Sequence, residues 1–235
     1  SHAPFAEAAR AVDVLVEGEG EGAFPAILAA RRRDAEGLQG IGGLRLGTGA
    51  GWVPTGPGAT AVMDALASPY AAGLVPPGGI GLMETYRGCP FSCSFCEWGV
   101  MEAPKNVRGP ESIRAEFDAM RPLGLKALLL ADAGLNLNNA AFDSLRRAGE
   151  ESDFLRGRGL ICEVYPTKVR RAHLDFLGRV GAAHIGVGLQ SFEAAALREA
   201  ERARDEDRLI DLLGAGREGS NVCTEMIMGL PGDTP

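Results

Sequence analysis

From Ile80 onward, short apolar runs alternate with amphipathic helical patterns, and this alternation constrains the fold more than any other feature of the chain. The apolar runs predict five strands, which we place at 80–85, 127–131, 160–164, 184–189 and 222–228. Strands that alternate with helices are typical of an α/β fold with right-handed crossovers. We therefore expect a parallel sheet or a partial TIM-like (β/α) barrel.

The chain before Ile80 divides into two parts. Residues 11–33 predict one β-branched strand, a Gly/Glu turn and one helix, a unit too small to cover its own apolar face. We interpret 1–36 as the C-terminal end of a domain whose earlier part is missing, and the Gly/Pro-rich residues 37–79 as an ordered linker. We expect 80–235 to be a barrel core that is incomplete at its C-terminal end, because closing a barrel needs a further strand.

Three of the five cysteines crowd into the loop that follows the first predicted strand. Cys89, Cys93 and Cys96 have the spacing C-x3-C-x2-C, which is too tight for a secreted disulfide framework. Thiolates are the ligands of iron–sulfur clusters, and three of them leave one iron of a 4Fe-4S cluster open. The alternative is a zinc site with a fourth ligand from Cys162, Cys223 or a histidine, none of which lies in a second ligand knuckle.

With Phe95 before its third cysteine, the loop resembles the hallmark of the radical S-adenosylmethionine (SAM) family, C-x3-C-x-aromatic-C after the first strand of a partial TIM-like barrel. The resemblance implies that Cys89, Cys93 and Cys96 bind a 4Fe-4S cluster whose open iron binds SAM. Electron transfer from the cluster would split SAM into methionine and a 5′-deoxyadenosyl radical, which takes a hydrogen atom from the substrate. An electron donor such as flavodoxin or ferredoxin would reduce the cluster by supplying this electron.

The resemblance also assigns cofactor-binding residues near the C-terminal ends of the later strands, where barrel enzymes build their sites. Asp132 occupies the place of a Gly-Gly-Glu-like motif that touches the SAM amino group, and Glu163 is expected to point into the barrel. Gln190 and Ser191 lie in a segment that resembles the ribose contact, although Ser191 would also suit the cap of the next helix. Gly229 belongs to the glycine-bearing stretch near adenine.

Other residues near these segments have open or ordinary interpretations. Tyr165 is expected to point into the barrel with Glu163, while Arg87, Glu97 and Trp98 flank the cluster loop and suit shielding, SAM contact or plain packing. The charged run 199–208 predicts a solvated helix face.

The opening of the chain resembles the cobalamin-dependent subfamily. The evidence is the string VDVLVEGEGEGAF at 12–24, the segment Ser-Pro-Tyr at 68–70 and the string ETYRGCP at 84–90. In that subfamily a Rossmann-like cobalamin-binding domain precedes the barrel, so 1–36 would be its last strand and helix. The resemblance implies cobalamin-dependent methylation of an unactivated carbon, with cyclisation or rearrangement as alternatives. We expect cobalamin to bind the intact protein rather than this chain alone, since an incomplete pocket cannot enclose it.

Composition excludes several other functions. The chain has 31 acidic and 24 basic residues, and its formal net charge of -7 argues against nucleic-acid binding. The sequence has no apolar stretch long enough to span a membrane and no secretory signal, which predicts a cytoplasmic protein. We expect its substrate to be a small molecule or a peptide. A methylthiotransferase usually carries a second cysteine triad, for which there is no candidate. A noncatalytic protein with zinc or an electron-transfer cluster is the remaining alternative.

Overall fold

The computed structural model describes residues 12–49, 51–98, 106–203 and 220–234. They belong to two compact units, with the division between Leu66 and Ala67. Within these described ranges, no helix is long and apolar enough to cross a membrane.

The first unit combines a small antiparallel sheet with two helices. Its elements are strand β1 (Val14–Val16), helix α1 (Gly20–Ala29), helix α2 (Ala35–Leu38), strand β2 (Leu44–Thr48) and strand β3 (Gly51–Pro54). The sheet order is β1-β2-β3, with both pairs antiparallel. The strand and the helix predicted before residue 36 are both present. The segment predicted as a linker, in contrast, contains the hairpin β2–β3, whose first strand pairs with β1.

Packing in this unit follows from a few apolar residues. Leu38, Leu44 and Leu46 are buried and form its core together with Ala23 of α1. Buried and exposed residues alternate in β2, and only Leu44 and Leu46 are buried. A sequence pattern of two apolar residues is too short to distinguish a strand from a loop. Phe24 and Leu28 of α1 remain exposed.

The described residues of the second unit form a five-stranded parallel sheet with helices between its strands. Its strands are β4 (Ile80–Met83), β5 (Ala127–Leu130), β6 (Gly159–Glu163), β7 (Ala182–Gln190) and β8 (Asn221–Met226). Its helices are α3 (Pro110–Met120), α4 (Asn139–Ser152), α5 (Arg171–Leu177) and α6 (Ala194–Glu199). The strands follow one another in chain order and all pairs are parallel, so the five predicted strands are confirmed. In the described part of the chain, β4 and β8 are the two edges of the sheet.

The helices cover one face of this sheet. Ile113, Phe117 and Met120 of α3 are fully buried, as their spacing predicted, and the Phe117 ring stacks on Phe154 with ring centres 4.6 Å apart. The C-terminal ends of the parallel strands all lie on the same side of the sheet. The loops on this side carry the polar residues described next.

Candidate active site

The cysteine loop leaves and returns at the C-terminal end of β4. An antiparallel bridge joins Tyr86 to Val107, and the backbone N–H of Arg108 donates to the carbonyl of Thr85 at 2.8 Å. Because both ends of the loop are paired with each other, its position depends on where β4 ends.

The middle of the loop is fixed by residues that follow α6. The backbone N–H of Ser94 donates to the Ala200 carbonyl at 3.2 Å, and the Ser92 hydroxyl donates to the Glu201 carboxylate at 2.9 Å. These contacts hold the cysteines near the C-terminal end of β7.

One cavity brings the predicted cluster ligands and most of the predicted cofactor contacts together. Its described lining consists of Cys89, Phe91, Cys93, Phe95, Cys96, Trp98, Asp132, Ala133, Leu137, Glu163, Val164, Tyr165, Gly188, Gln190, Arg202 and Glu225. Arg87 and Glu97 are not among these residues, and the Arg87 side chain pairs instead with Glu84 at 2.9 Å. The cavity therefore contains three thiols, three carboxyl groups and one guanidinium group.

Two glycines of β7 make room for polar side chains in this cavity. A Cβ atom on Gly186 would overlap the Glu163 carboxyl group, and one on Gly188 would overlap the Gln190 amide. Gln190 has a positive φ of 70° at the point where the pairing of β7 with β8 shifts register. Such a conformation is costly for a residue other than glycine and is enriched at functional sites.

Glu163 and Cys89, which both line the cavity, have raised pKa values. Burial raises the pKa of Glu163, and the nearby charge of Glu225 raises it further. Burial also raises the pKa of the Cys89 thiol, while the positive charge of Arg202 acts in the opposite direction. Perturbed groups that converge in one cavity are typical of a functional site.

Arg202 is the most informative residue that the sequence pattern did not reveal. Its guanidinium donates to the Gly188 carbonyl at 2.5 Å, lies 3.9 Å from the Cys93 sulfur and lies 4.2 Å from the centre of the Tyr165 ring. The prediction of a solvated helix face at 199–208 is wrong for this residue, because α6 ends at Glu199. Residues 204–208 lie outside the described residues.

Tyr165 links this arginine to the cysteine loop. Its ring stacks on Phe91 with ring centres 4.3 Å apart and an angle of 19° between the planes. The amide of Asn136 holds the backbone of Tyr165 through two hydrogen bonds of 2.8 and 2.9 Å. Tyr165 points into the cavity as expected, and its packing contacts explain why it does so.

Asp132 lies at the cavity wall but is almost completely buried. One carboxylate oxygen accepts the Thr85 backbone N–H at 2.7 Å, and the other accepts the Thr85 hydroxyl. Burial raises the pKa of Asp132 to about 6, although these hydrogen bonds oppose the shift.

The two remaining predicted contacts lie elsewhere. Ser191 and Gly229 are not part of the described cavity lining. The Ser191 hydroxyl donates to Asp233 at 2.5 Å and accepts the Glu193 backbone N–H at 3.0 Å. Glu193 itself is the N-cap residue of α6, so Ser191 is not the cap of this helix. The roles of Ser191 and Gly229 in SAM binding stay predictions.

The three cysteines offer thiol groups, which as thiolates are the ligand type of iron–sulfur clusters. Within the described residues, no three His, Cys, Asp or Glu side chains come together as a site for one metal ion. The three cysteines that bind a four-iron cluster contact different irons, so they do not need to share one centre. Cys162 is buried in the core and Cys223 is exposed on β8.

Fold and site together define a parallel α/β core with a three-cysteine loop after its first strand. A family model described as the Radical SAM superfamily matches residues 83–235, more than half of the chain. The chain belongs to the Radical SAM superfamily, which confirms the resemblance predicted from the cysteine loop.

Two curated relatives are methyltransferases. The chain is 26% identical, over 269 aligned positions, to the 2-(S-pantetheinyl)-carbapenam-3-carboxylate methyltransferase of Streptantibioticus cattleyicolor; the match covers 95% of this chain and 36% of the relative. It is 40% identical over 101 residues to the cobalamin-dependent radical SAM methyltransferase TokK of Streptomyces tokunonensis, covering 37% of this chain and 14% of that protein. The chain thus spans about a third or less of the length of these relatives.

A solved structure shares the fold. The radical SAM methyltransferase TsrM from Kitasatospora setae, with tryptophan substrate and a SAM analogue bound, matches with a TM-score of 0.71 at 21% identity. The match covers 94% of this chain and 47% of the TsrM chain.

Proposed function

We propose that this chain is the cluster- and SAM-binding core of a cobalamin-dependent radical SAM methyltransferase. The observation that carries the proposal is that Cys89, Cys93 and Cys96 line the same cavity as Glu163, Gln190 and Arg202. When bound, a 4Fe-4S cluster supplies the electron that cleaves SAM reductively to a 5′-deoxyadenosyl radical, and cobalamin carries the methyl group. The three cysteines would hold the cluster.

The charges of the cavity complement those of SAM. SAM has one carboxylate and two cationic groups, its ammonium and its sulfonium, and the cavity offers one guanidinium and three carboxyl groups. Arg202 is held beside Cys93 in the cavity, so its positive charge would be available to the carboxylate of a bound SAM. A guanidinium suits this task because it binds a carboxylate through two parallel hydrogen bonds.

The other polar residues would bind the remainder of SAM. Glu163 and Glu225 would attract the cationic groups. The Gln190 amide, which lines the cavity where the pairing of β7 with β8 shifts register, would contact the ribose hydroxyls. Phe95 and Trp98 provide partly exposed apolar surface beside the cysteines, which would limit the access of water to a bound cluster.

The methyl-transfer part of the proposal is supported by the two curated relatives described above, which are methyltransferases, one of them described as cobalamin-dependent. We extend this activity to the intact protein, with a small-molecule or peptide substrate and a flavodoxin- or ferredoxin-type electron donor. Cyclisation, rearrangement and a noncatalytic zinc or iron–sulfur protein are the alternatives.

Reductive cleavage of SAM tests the proposal on this chain. The protein is reconstituted anaerobically with iron and sulfide, mixed with SAM and dithionite, and analysed for 5′-deoxyadenosine by mass spectrometry. We expect 5′-deoxyadenosine from the wild-type chain and from Cys223→Ala, which removes an exposed cysteine outside the loop, but none from Cys93→Ala. A cluster-loaded protein that leaves SAM intact would contradict the proposal and favour a noncatalytic role.

Methyl transfer is tested on the intact protein with cobalamin added. Formation of S-adenosylhomocysteine together with 5′-deoxyadenosine and a methylated product supports a methyltransferase. A rearranged or cyclised product of unchanged carbon count would instead support the alternative enzymes.

A further inference from the structure

We infer that Asp132 is a positioning residue that fixes the first residues of the cysteine loop, and that it does not bind SAM directly. The inference rests on the proposed function, because the position of the loop matters through the cluster that it would hold. It changes the role that the resemblance gives to Asp132, which is contact with the SAM amino group.

Asp132 and Thr85 occupy equivalent places on neighbouring strands. Met83 of β4 pairs with Leu130 of β5, so each of the two residues lies two positions beyond a paired strand end. The last backbone hydrogen bond between these segments runs from the Ala131 N–H to the Met83 carbonyl at 2.9 Å. Beyond it, the Asp132 side chain takes over from the backbone by accepting the Thr85 N–H at 2.7 Å and the Thr85 hydroxyl.

The residues bound by Asp132 are held from other directions as well. The Thr85 carbonyl accepts the Arg108 N–H, and the Tyr86 hydroxyl donates to the Gly134 carbonyl at 2.8 Å. Tyr86 is fully buried. Its backbone N–H donates to Asp132 Oδ1, the oxygen that also accepts the Thr85 N–H, with an N···O distance of 3.4 Å. Residues 85 and 86 are therefore fixed between the extension of β5 and the returning end of the loop. Cys89 follows three residues after Tyr86.

The hydrogen bonds of Asp132 favour this role over SAM contact. Both carboxylate oxygens already accept hydrogen bonds from Thr85, and Asp132 is only 5% exposed. Thr85 is 2% exposed, so its N–H has no access to water as a replacement acceptor. A buried donor without an acceptor is costly, so loss of the carboxylate should release the stem of the loop.

Four variants separate the two roles. Asp132→Asn keeps an oxygen for the Thr85 N–H and offers an amide N–H to the Thr85 hydroxyl, but it removes the charge that would attract an ammonium. Asp132→Ala removes the acceptor oxygen for the Thr85 N–H as well as the charge. Thr85→Val removes only the hydroxyl without changing the side-chain shape, and Thr85→Ser is its matched control because it keeps the hydroxyl. Thr85 does not line the described cavity, so its effect must pass through Asp132 or the loop.

Hydrogen exchange of the cluster-free chain is the first measurement, followed by mass spectrometry of peptides that contain Thr85 and Tyr86. We expect exchange about tenfold faster or more in Asp132→Ala, since a hydrogen bond to a charged group is lost. Thr85→Val should show a smaller increase in the same peptides, while Asp132→Asn and Thr85→Ser stay close to wild type. Unchanged exchange in both Asp132→Ala and Thr85→Val would overturn the inference. This measurement needs neither cluster nor SAM, so it is independent of the proposed function.

Iron content and the SAM dissociation constant are the second measurement, made on the reconstituted chain. We expect Asp132→Ala to lose iron faster than wild type under a chelator, whereas Asp132→Asn retains its iron and binds SAM with about the wild-type affinity. If Asp132→Asn keeps wild-type exchange and iron but binds SAM about tenfold more weakly, the carboxylate contacts SAM and the inference is wrong.

Discussion

The guanidinium of Arg202 lies 3.9 Å from the sulfur of Cys93, although 109 residues separate the two in sequence. The contact joins the loop after β4 to the segment after α6, and it places a positive charge beside the cysteine loop. A second nitrogen of the same group donates to the Gly188 carbonyl at 2.5 Å, which fixes the orientation of the guanidinium plane.

Removal of this charge should weaken SAM binding more than it weakens the fold. Arg202→Ala is expected to raise the SAM dissociation constant by about 10- to 100-fold, the equivalent of about 1.5–3 kcal/mol for a charge-assisted hydrogen bond. Arg202→Lys should recover only part of this loss, because an ammonium cannot form the paired hydrogen bonds. Calorimetric titration with SAM measures the constants, and Arg156→Ala is a matched control, since Arg156 is exposed and pairs only with Asp153 among the described ion pairs. Equal affinity of Arg202→Ala and wild type would refute the assignment.

The three loop cysteines should be equally necessary for the cluster. Each single change to alanine at Cys89, Cys93 or Cys96 is expected to lower bound iron well below the about four irons per chain of a complete cluster. Cys223→Ala should bind as much iron as wild type, because this exposed residue does not line the cavity. Iron and sulfide assays on the purified, reconstituted variants make the comparison. If Cys223→Ala lost as much iron as the loop variants, the ligand assignment would have to change.

Gly186 should be required for the position of the Glu163 carboxyl group. In Gly186→Ala the new methyl group would overlap that carboxyl group, so Glu163 must move and SAM binding should weaken about tenfold or more. Gly157→Ala is the control, since a methyl group at that position would have no atom within 4 Å and the φ of Gly157 is ordinary. Dissociation constants from the same titration decide the outcome. Tight SAM binding by a folded Gly186→Ala would show that Glu163 has another role.

The buried His173 is expected to lower the free energy of unfolding in mild acid. The residue is buried, its Nδ1 accepts the Arg170 N–H at 3.0 Å, and burial, helped by the charge of Arg170, lowers its pKa from 6.5 to about 4. Between these two values the unfolded chain binds a proton that the folded chain does not. The free energy of unfolding is therefore expected to fall by about 1–2 kcal/mol from pH 7 to pH 4.5.

The control for this pH effect is His173→Asn, which keeps an acceptor near the Nδ1 position but does not titrate. Asp132 makes the comparison necessary, since its raised pKa of about 6 stabilises the folded chain as the pH falls and so opposes His173. Urea unfolding of both proteins at pH 7 and pH 4.5 isolates the histidine contribution. An identical pH dependence of the two proteins would rule it out.

The fold of the second unit was predictable because its strands are apolar runs that a helix covers. Leu128 and Leu130 of β5 are buried beneath the helices, and continuous apolar character of this kind identifies a strand of a parallel sheet. The hairpin of the first unit was not predictable, since only Leu44 and Leu46 mark its first strand. Pairing with β1 stabilises that strand, and pairing is not visible in a local pattern.

The candidate site shows the same division. Asp132 and Gln190 were assigned from the resemblance to the family, and Glu163 from its place on the third predicted strand. The C-terminal ends of parallel strands lie on the same side of a sheet, and this explains why the three residues share one cavity. Glu225 was missed, although it lies near the C-terminal end of β8, the end at which the other strands also carry residues of the site. Arg202 has no sequence signal, because its position depends on where α6 ends and how the chain turns back toward the cysteine loop.

The most direct test of the central claim is an electron paramagnetic resonance spectrum of the reconstituted, dithionite-reduced chain, recorded with and without SAM. An open iron beside Cys89, Cys93 and Cys96 predicts a reduced-cluster signal that shifts when SAM is added and is absent from the triple alanine variant. A folded protein that takes up zinc in place of iron, or whose cluster signal is the same with and without SAM, would contradict the claim.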